Sequence, residues 1–220
     1  MKKIILGLAA VATIAFVGCK NTNKAEQAVD TVVEEVTETV KGLLPNSYTV
    51  VPTESVVEWV GTKPAGKHNG TVTVQEGGFA VDNGTVTGGD FTLDMNTITV
   101  LDLEGDEKAG LEGHLKGTGK EDAVDHFFNV TKFPTATFVL KSFDGTNVHG
   151  DLTVKGVTKH ISFPATVTVS DDEVSLVSQP FTINRVDYGI NYGSKSIFDD
   201  LKDKFINDDV ELVVKVKATK

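Results

Sequence analysis

With one cysteine in 220 residues, Cys19, the chain cannot cross-link itself, and its fold must rest on an apolar core. It also lacks the motifs of familiar catalysts. There is no His-Glu-x-x-His pair, no Gly-x-Ser-x-Gly elbow and no Gly-rich phosphate loop, and His68, His114, His126, His149 and His160 lie on different segments. Neither a covalent nucleophile nor a metal-binding spacing emerges, so the chain reads as a non-enzyme without a cofactor. Basic residues are few: 21 Lys and Arg stand against 31 Asp and Glu, a net charge of −10 that no basic cluster interrupts. Such a surface repels a phosphate backbone and excludes nucleic acid as a partner. Polar aromatics are sparse too, one Trp and three Tyr beside twelve Phe, an inventory suited to lining an apolar interior. The one long hydrophobic run, Ile4 to Val17, falls short of the roughly 20 residues that a membrane-spanning helix needs.

That run follows Lys2 and Lys3 and ends in Phe16-Val17-Gly18-Cys19, the positive, apolar and small-residue order of a secretion signal. Residues 1–18 are therefore expected to be removed, which takes the net charge from −10 to −12 with the loss of two lysines. A thiol directly after the cleavage point supplies a nucleophile for acyl transfer. The pattern resembles the lipobox of bacterial lipoproteins, with Phe16 in place of the usual Leu. The resemblance implies a protein of the bacterial cell envelope held on a membrane by acylated Cys19, several acyl chains anchoring far better than one. Lys20 stands where an inner-membrane retention Asp would, which favours the outer membrane, facing the periplasm or the surface. Residues 19–45 form the lipidated N-terminus and tether. Ala25, Val29, Val32, Val36, Val40 and Leu43 recur at helical spacing, yet the many Thr and Val make a poor isolated helix, so a partly helical tether and a disordered linker both fit.

From residue 46 to 220 the apolar pattern changes to period two. Val57, Trp59 and Gly61 alternate with Val56, Glu58 and Val60; Phe91, Leu93 and Met95 with Thr92 and Asp94; Ala136, Phe138 and Leu140 with Thr135, Thr137 and Lys141. The alternation continues through Leu152 and Val154, through Phe163, Ala165 and Val167, and ends with Val210, Leu212, Val214 and Val216. Turn residues punctuate it at Gln75-Glu76-Gly77-Gly78, Asp82-Asn83-Gly84, Asp144-Gly145 and Asp171-Asp172. The pattern predicts an all-β fold, an antiparallel closed barrel of about eight strands, a size whose interior holds a small ligand and whose closure removes exposed edges. Two segments break the alternation, Leu111 to Asn129 and Lys195 to Ile206. The second places Ile197, Phe198, Leu201 and Phe205 on one helical face, so one or two short helices are expected across an open end.

The remaining polar groups are read as surface. Asp199-Asp200 and Asp208-Asp209 fit turns and helix ends, and His149 and His160 have the parity of solvent-facing strand positions. A metal site would require the fold to gather His68, His114 and His126.

Five stretches, in order, carry a family resemblance. They are Tyr48-Thr49-Val50 followed by Glu54 to Trp59; Gly113-His114-Leu115 with Asp125-His126-Phe127-Phe128; Lys132-Phe133-Pro134-Thr135-Ala136-Thr137-Phe138; Gly150 to Lys159; and Asn184-Arg185-Val186-Asp187-Tyr188-Gly189-Ile190. Across Tyr48 to Lys217 the chain resembles the YceI-like family, and the spacing between Trp59 and Phe91 gives it the look of a lipoprotein branch. The resemblance implies a lipocalin-like barrel that carries a polyisoprenoid, such as an isoprenoid quinone or its precursor, in an elongated apolar cavity. Trp59, Phe91, Leu93, Met95, Phe138 and Leu152 are then expected as wall, with Phe127, Phe128 and Phe198 near an opening. Arg185 is expected to pair with Asp187 at the rim. Two other readings stay open: a structural or stress-protective envelope protein with a filled barrel, and a metal-assisted lipid-modifying enzyme. Monomer and homodimer also stay open.

Overall fold

A computed structural model describes residues 47–220; the expected signal segment, Cys19 and the tether of residues 19–45 lie outside the described residues. The strands are β1 (Ser47–Val50), β2 (Val56–Lys63), β3 (Gly66–Asp82), β4 (Thr85–Val100), β5 (Thr135–Phe143), β6 (Asn147–Val154), β7 (Val157–Val169), β8 (Glu173–Ser178), β9 (Phe181–Asn184) and β10 (Asp209–Thr219). One helix, α1 (Gly105–Lys116), follows β4. Each of β2 to β7 pairs antiparallel with the next, and β10 pairs with both β2 and β8, so eight strands close a ring, as the alternation predicts. The short β1 and β9 are additions to it.

β10 is the spine of this closure. Along one flank it meets β1 and then β2, along the other β8 and then β9. Each flank is a strand interrupted beside a proline, Pro52 or Pro180, which has no N–H to give to a ladder. A buried serine repairs each break. The Ser55 hydroxyl accepts from Lys217 N–H at 3.0 Å and donates to Lys217 O at 3.1 Å, and the Ser178 hydroxyl accepts from Val214 N–H at 2.8 Å.

The two ends of the barrel differ in their connections. At one end lie three short turns, after β3, β5 and β7, together with Ser47 and Lys220; Asn83 and Gly84 take left-handed φ of 49° and 77°, the geometry of a tight hairpin. At the other end lie two hairpin turns and two long insertions, residues 101–134 and 185–208. We call these the turn end and the cap end.

Two segments depart from the structure that their sequence predicts. Gln75 to Gly78 is not a turn: β3 runs through it, with a register shift against β4 between Val74 and Glu76. Cβ atoms on Gly77 and Gly78 would collide with the carbonyl oxygens of Asp90 and Tyr48, so the glycines let three strands approach closely rather than reverse the chain. Lys195 to Ile206 forms no α-helix, only turns and a 3-10 turn at Lys202–Lys204. Ser194 caps Ser196 N–H with its hydroxyl, and Lys202 sits at a left-handed φ of 47°, which no α-helix accommodates. Within Leu111 to Asn129 a helix does occur; it starts earlier, ends at left-handed Gly117, and buries only Leu115.

Candidate ligand-binding cavity

Side chains alternate across each strand, so one set of every strand points into the ring. Near the turn end that set is large, and Phe79 meets Phe91 edge-on with centroids 4.9 Å apart; toward the middle of the barrel Phe163 stacks on Phe181 at 4.4 Å. Toward the cap end the inner positions become small, with Gly61, Val72, Ala136 and Val154, and a cavity of about 150 Å³ remains. Its walls include Val57 and Trp59 of β2, Leu93, Met95 and Ile98 of β4, and Leu152 of β6. The insertions roof it with Leu115, Phe127, Phe128, Tyr188, Ile190 and Ile206. The exposed lining is apolar throughout.

A second cavity of about 70 Å³ lies deeper, against Phe91, Phe138, Ile161, Phe163 and Phe181, and its exposed lining is also apolar. Both cavities touch Val57, Leu93, Leu152 and Leu212, so they lie end to end along the axis with these four side chains between them. Glycines make the room. A Cβ on Gly70 would strike the Trp59 indole, and one on Gly150 would strike the Phe138 ring.

The cap is rooted by Arg185, which is 4% exposed. Its guanidinium donates to Asn207 O at 3.1 Å, Ile190 O at 2.7 Å and Ile206 O at 3.0 Å, and pairs with Asp208 at 3.3 Å. The expected partner, Asp187, points to solvent instead, because the 3-10 turn Arg185–Tyr188 buries its first and last residues and leaves the third outside. Burial opposes ionisation of Asp208, but hydrogen bonds from Ser196 and Ser194 and the Arg185 charge hold its carboxyl below the usual range. Two polar atoms lack partners: among the described residues, Trp59 Nε1 and Tyr188 Oη are buried without a hydrogen bond. Burial, with Asp187 nearby, pushes the Tyr188 hydroxyl up to about 12.

Of the residues read from sequence, Trp59, Met95, Phe127 and Phe128 line the larger cavity, Phe91 and Phe138 the deeper one, and Leu93 and Leu152 both. Phe198 lines neither and is 47% exposed, a consequence of the missing helix that was to turn it inward. Sequence reasoning missed the roof residues Tyr188, Ile190 and Ile206, which lie in irregular chain where parity has no meaning. The fold brings His114 and His126 together, Nε2 to Nδ1 at 2.9 Å, and leaves His68 with Asp102 at 2.8 Å. His149 and His160 pair with Asp144 and Asp151 on the outer surface.

Residues 48–218 match the sequence model of the YceI-like domain. A UPF0312 protein of Staphylococcus aureus (strain MSSA476) is 32% identical over 110 residues, 47% of this chain and 60% of that protein. The chain thus spans about three fifths of the length of the curated relatives it matches. Among solved structures, BcnA of Burkholderia cenocepacia aligns with a TM-score of 0.56 at 21% identity, over 77% of this chain and 99% of that one. A polyisoprenoid binding domain from Saccharophagus degradans, implicated in plant cell wall breakdown, aligns with a TM-score of 0.55 at 16% identity, over 78% of this chain and 97% of that one. At these identities the likeness is one of fold.

Proposed function

Since the chain belongs to the YceI-like family, we propose that it binds an isoprenoid-type lipid stoichiometrically, shielding the tail inside the barrel without chemical change. The observation that carries this reading is the pair of apolar cavities set end to end along a closed ring. A prenyl chain is itself long, narrow and apolar, and its burial contributes about 0.8 kcal/mol per methylene-sized group, so a few units supply ample affinity. Leu93, Leu152 and Leu212 have rotamers to exchange, and their movement merges the two spaces for a longer tail. No reacting group is required, so the chain acts as a carrier or store and not as an enzyme. Acylation of Cys19 then holds this carrier on a membrane of the bacterial envelope, where such lipids reside.

The test is native mass spectrometry, with organic extraction, of the full chain purified from its own envelope under mild conditions. A one-to-one adduct whose extract shows prenyl-unit mass spacing is expected. A protein that is empty and also refuses added isoprenoid quinones would leave the structural role as the better account.

A further inference from the structure

The ring is continuous and the turn end is packed, so the way into the larger cavity runs through the cap. Its two halves, residues 101–134 and 185–208, are tied down separately. In the first, Glu112 accepts from Val100 N–H at 2.9 Å, while Phe128 N–H and Val130 N–H bond Leu115 O and Lys116 O and fold the loop onto α1. In the second, Arg185 grips three carbonyls. Among the described residues no hydrogen bond joins one half to the other. An aromatic cluster bridges them instead. His126 stacks on Tyr192 with centroids 4.1 Å apart, His114 meets Tyr192 edge-on at 4.9 Å, and Phe127 leans on it at 5.6 Å. Phe127 belongs both to this cluster and to the cavity roof.

We propose that this seam is the door through which the lipid enters and leaves, and that the His114–His126 pair on Tyr192 is its pH-sensitive clasp. The proposal rests on the carrier reading above. A hydrogen bond between two imidazoles needs one donor and one acceptor, so it survives only while at least one ring is neutral. Double protonation removes the acceptor and leaves two cations at hydrogen-bond distance. Burial, then the charges of His126 and Lys120, push His114 below its ordinary 6.5, and Asp122 opposes them. Next to His126, Asp125 is already engaged by Asn129 and Lys155, with Lys132 nearby; across the seam, Tyr192 is the titratable group that faces both rings. The closed cap therefore favours neutral His114, whereas an imidazole freed to water takes its proton near 6.5. Closure keeps its full advantage above that pH and loses it as the pH falls further.

Trp59, the only Trp of the chain, lines the cavity and reports its occupancy. Ubiquinone-2 bound beside it is expected to quench its fluorescence, and transfer to excess phosphatidylcholine vesicles to restore it. For the wild-type full chain, transfer is expected to accelerate several-fold from pH 7.5 to pH 5, as closure loses the advantage of a neutral His114. In His114→Phe, which keeps an aromatic ring against Tyr192 and removes the imidazole whose charged form burial disfavours, the rate stays near the wild-type pH 7.5 value throughout. A wild-type rate flat in pH, or a His114→Phe profile as steep as the wild type's, overturns the clasp. Hydrogen–deuterium exchange of the ligand-free chain gives a second reading. After correction for the intrinsic pH effect, amides of residues 114–130 and 188–206 exchange faster at pH 5.5 than at pH 7.5 in the wild type and not in the variant; equal exchange overturns the door. Absence of quenching at every pH sinks the carrier reading instead, and the exchange still decides whether the seam opens.

Discussion

The two ends of the barrel are built from the same strands and differ in what their inner faces carry. At the turn end, Phe79 packs edge-on against Phe91 and the connections are a few residues long, while the Phe163–Phe181 stack stands deeper in the barrel beside the smaller cavity. At the cap end, Gly61, Val72 and Ala136 leave a void, which long insertions must cover. Apolar alternation alone specifies the ring, and side-chain volume at the inner positions then decides which part of it is core and which part is container. Stability and capacity are thereby placed at opposite ends of one sheet.

Mutations at each end sharpen this division. The largest loss of stability is expected from Phe79→Ala, because a side chain 1% exposed leaves a hole among packed rings; about 3–5 kcal/mol should disappear in urea denaturation. A loss under about 1 kcal/mol there would mean that the turn end is no better packed than the cap. Ser55→Ala and Ser178→Ala come next, each leaving a β10 backbone group unpaired at about 1–3 kcal/mol, again read from denaturation midpoints. Gly61→Leu probes the container. A Cβ there meets nothing within 4 Å, so the added side chain fills the cavity; thermal stability should hold or rise while uptake of ubiquinone-2 is abolished, as followed by Trp59 quenching. Uptake that survives this change would place the ligand elsewhere. The smallest effect is expected from Tyr188→Phe, which removes a buried hydroxyl with no partner and should leave the melting temperature unchanged or slightly higher. A clear drop would show that this hydroxyl is paired in solution.

Much of the architecture was legible because period-two alternation is a local signal. Eight strands were expected and eight close the ring, and eight of nine proposed cavity residues touch one of the two cavities. The errors fall where a residue's role is set across the fold. Gly77 and Gly78 read as a turn because close approach of three strands leaves no trace in local sequence. Phe198 sat on a convincing helical stripe, but Ser194 and Lys202 impose turns there. Asp208 replaced Asp187 as the partner of Arg185 because a 3-10 turn rotates Asp187 outward, and the chain folds back to bring up a residue 23 positions on. The roof of the cavity, which is irregular chain, had no periodicity to be read.

β1 is only four residues long, yet it is stitched to β3 on one side and to β10 on the other. Mechanically, a pull arriving through the chain ahead of Ser47 enters the domain at that double seam, among packed aromatic rings. The load is taken up by the stiff half of the sheet. The hollow half, farthest along β10, is left free of that load.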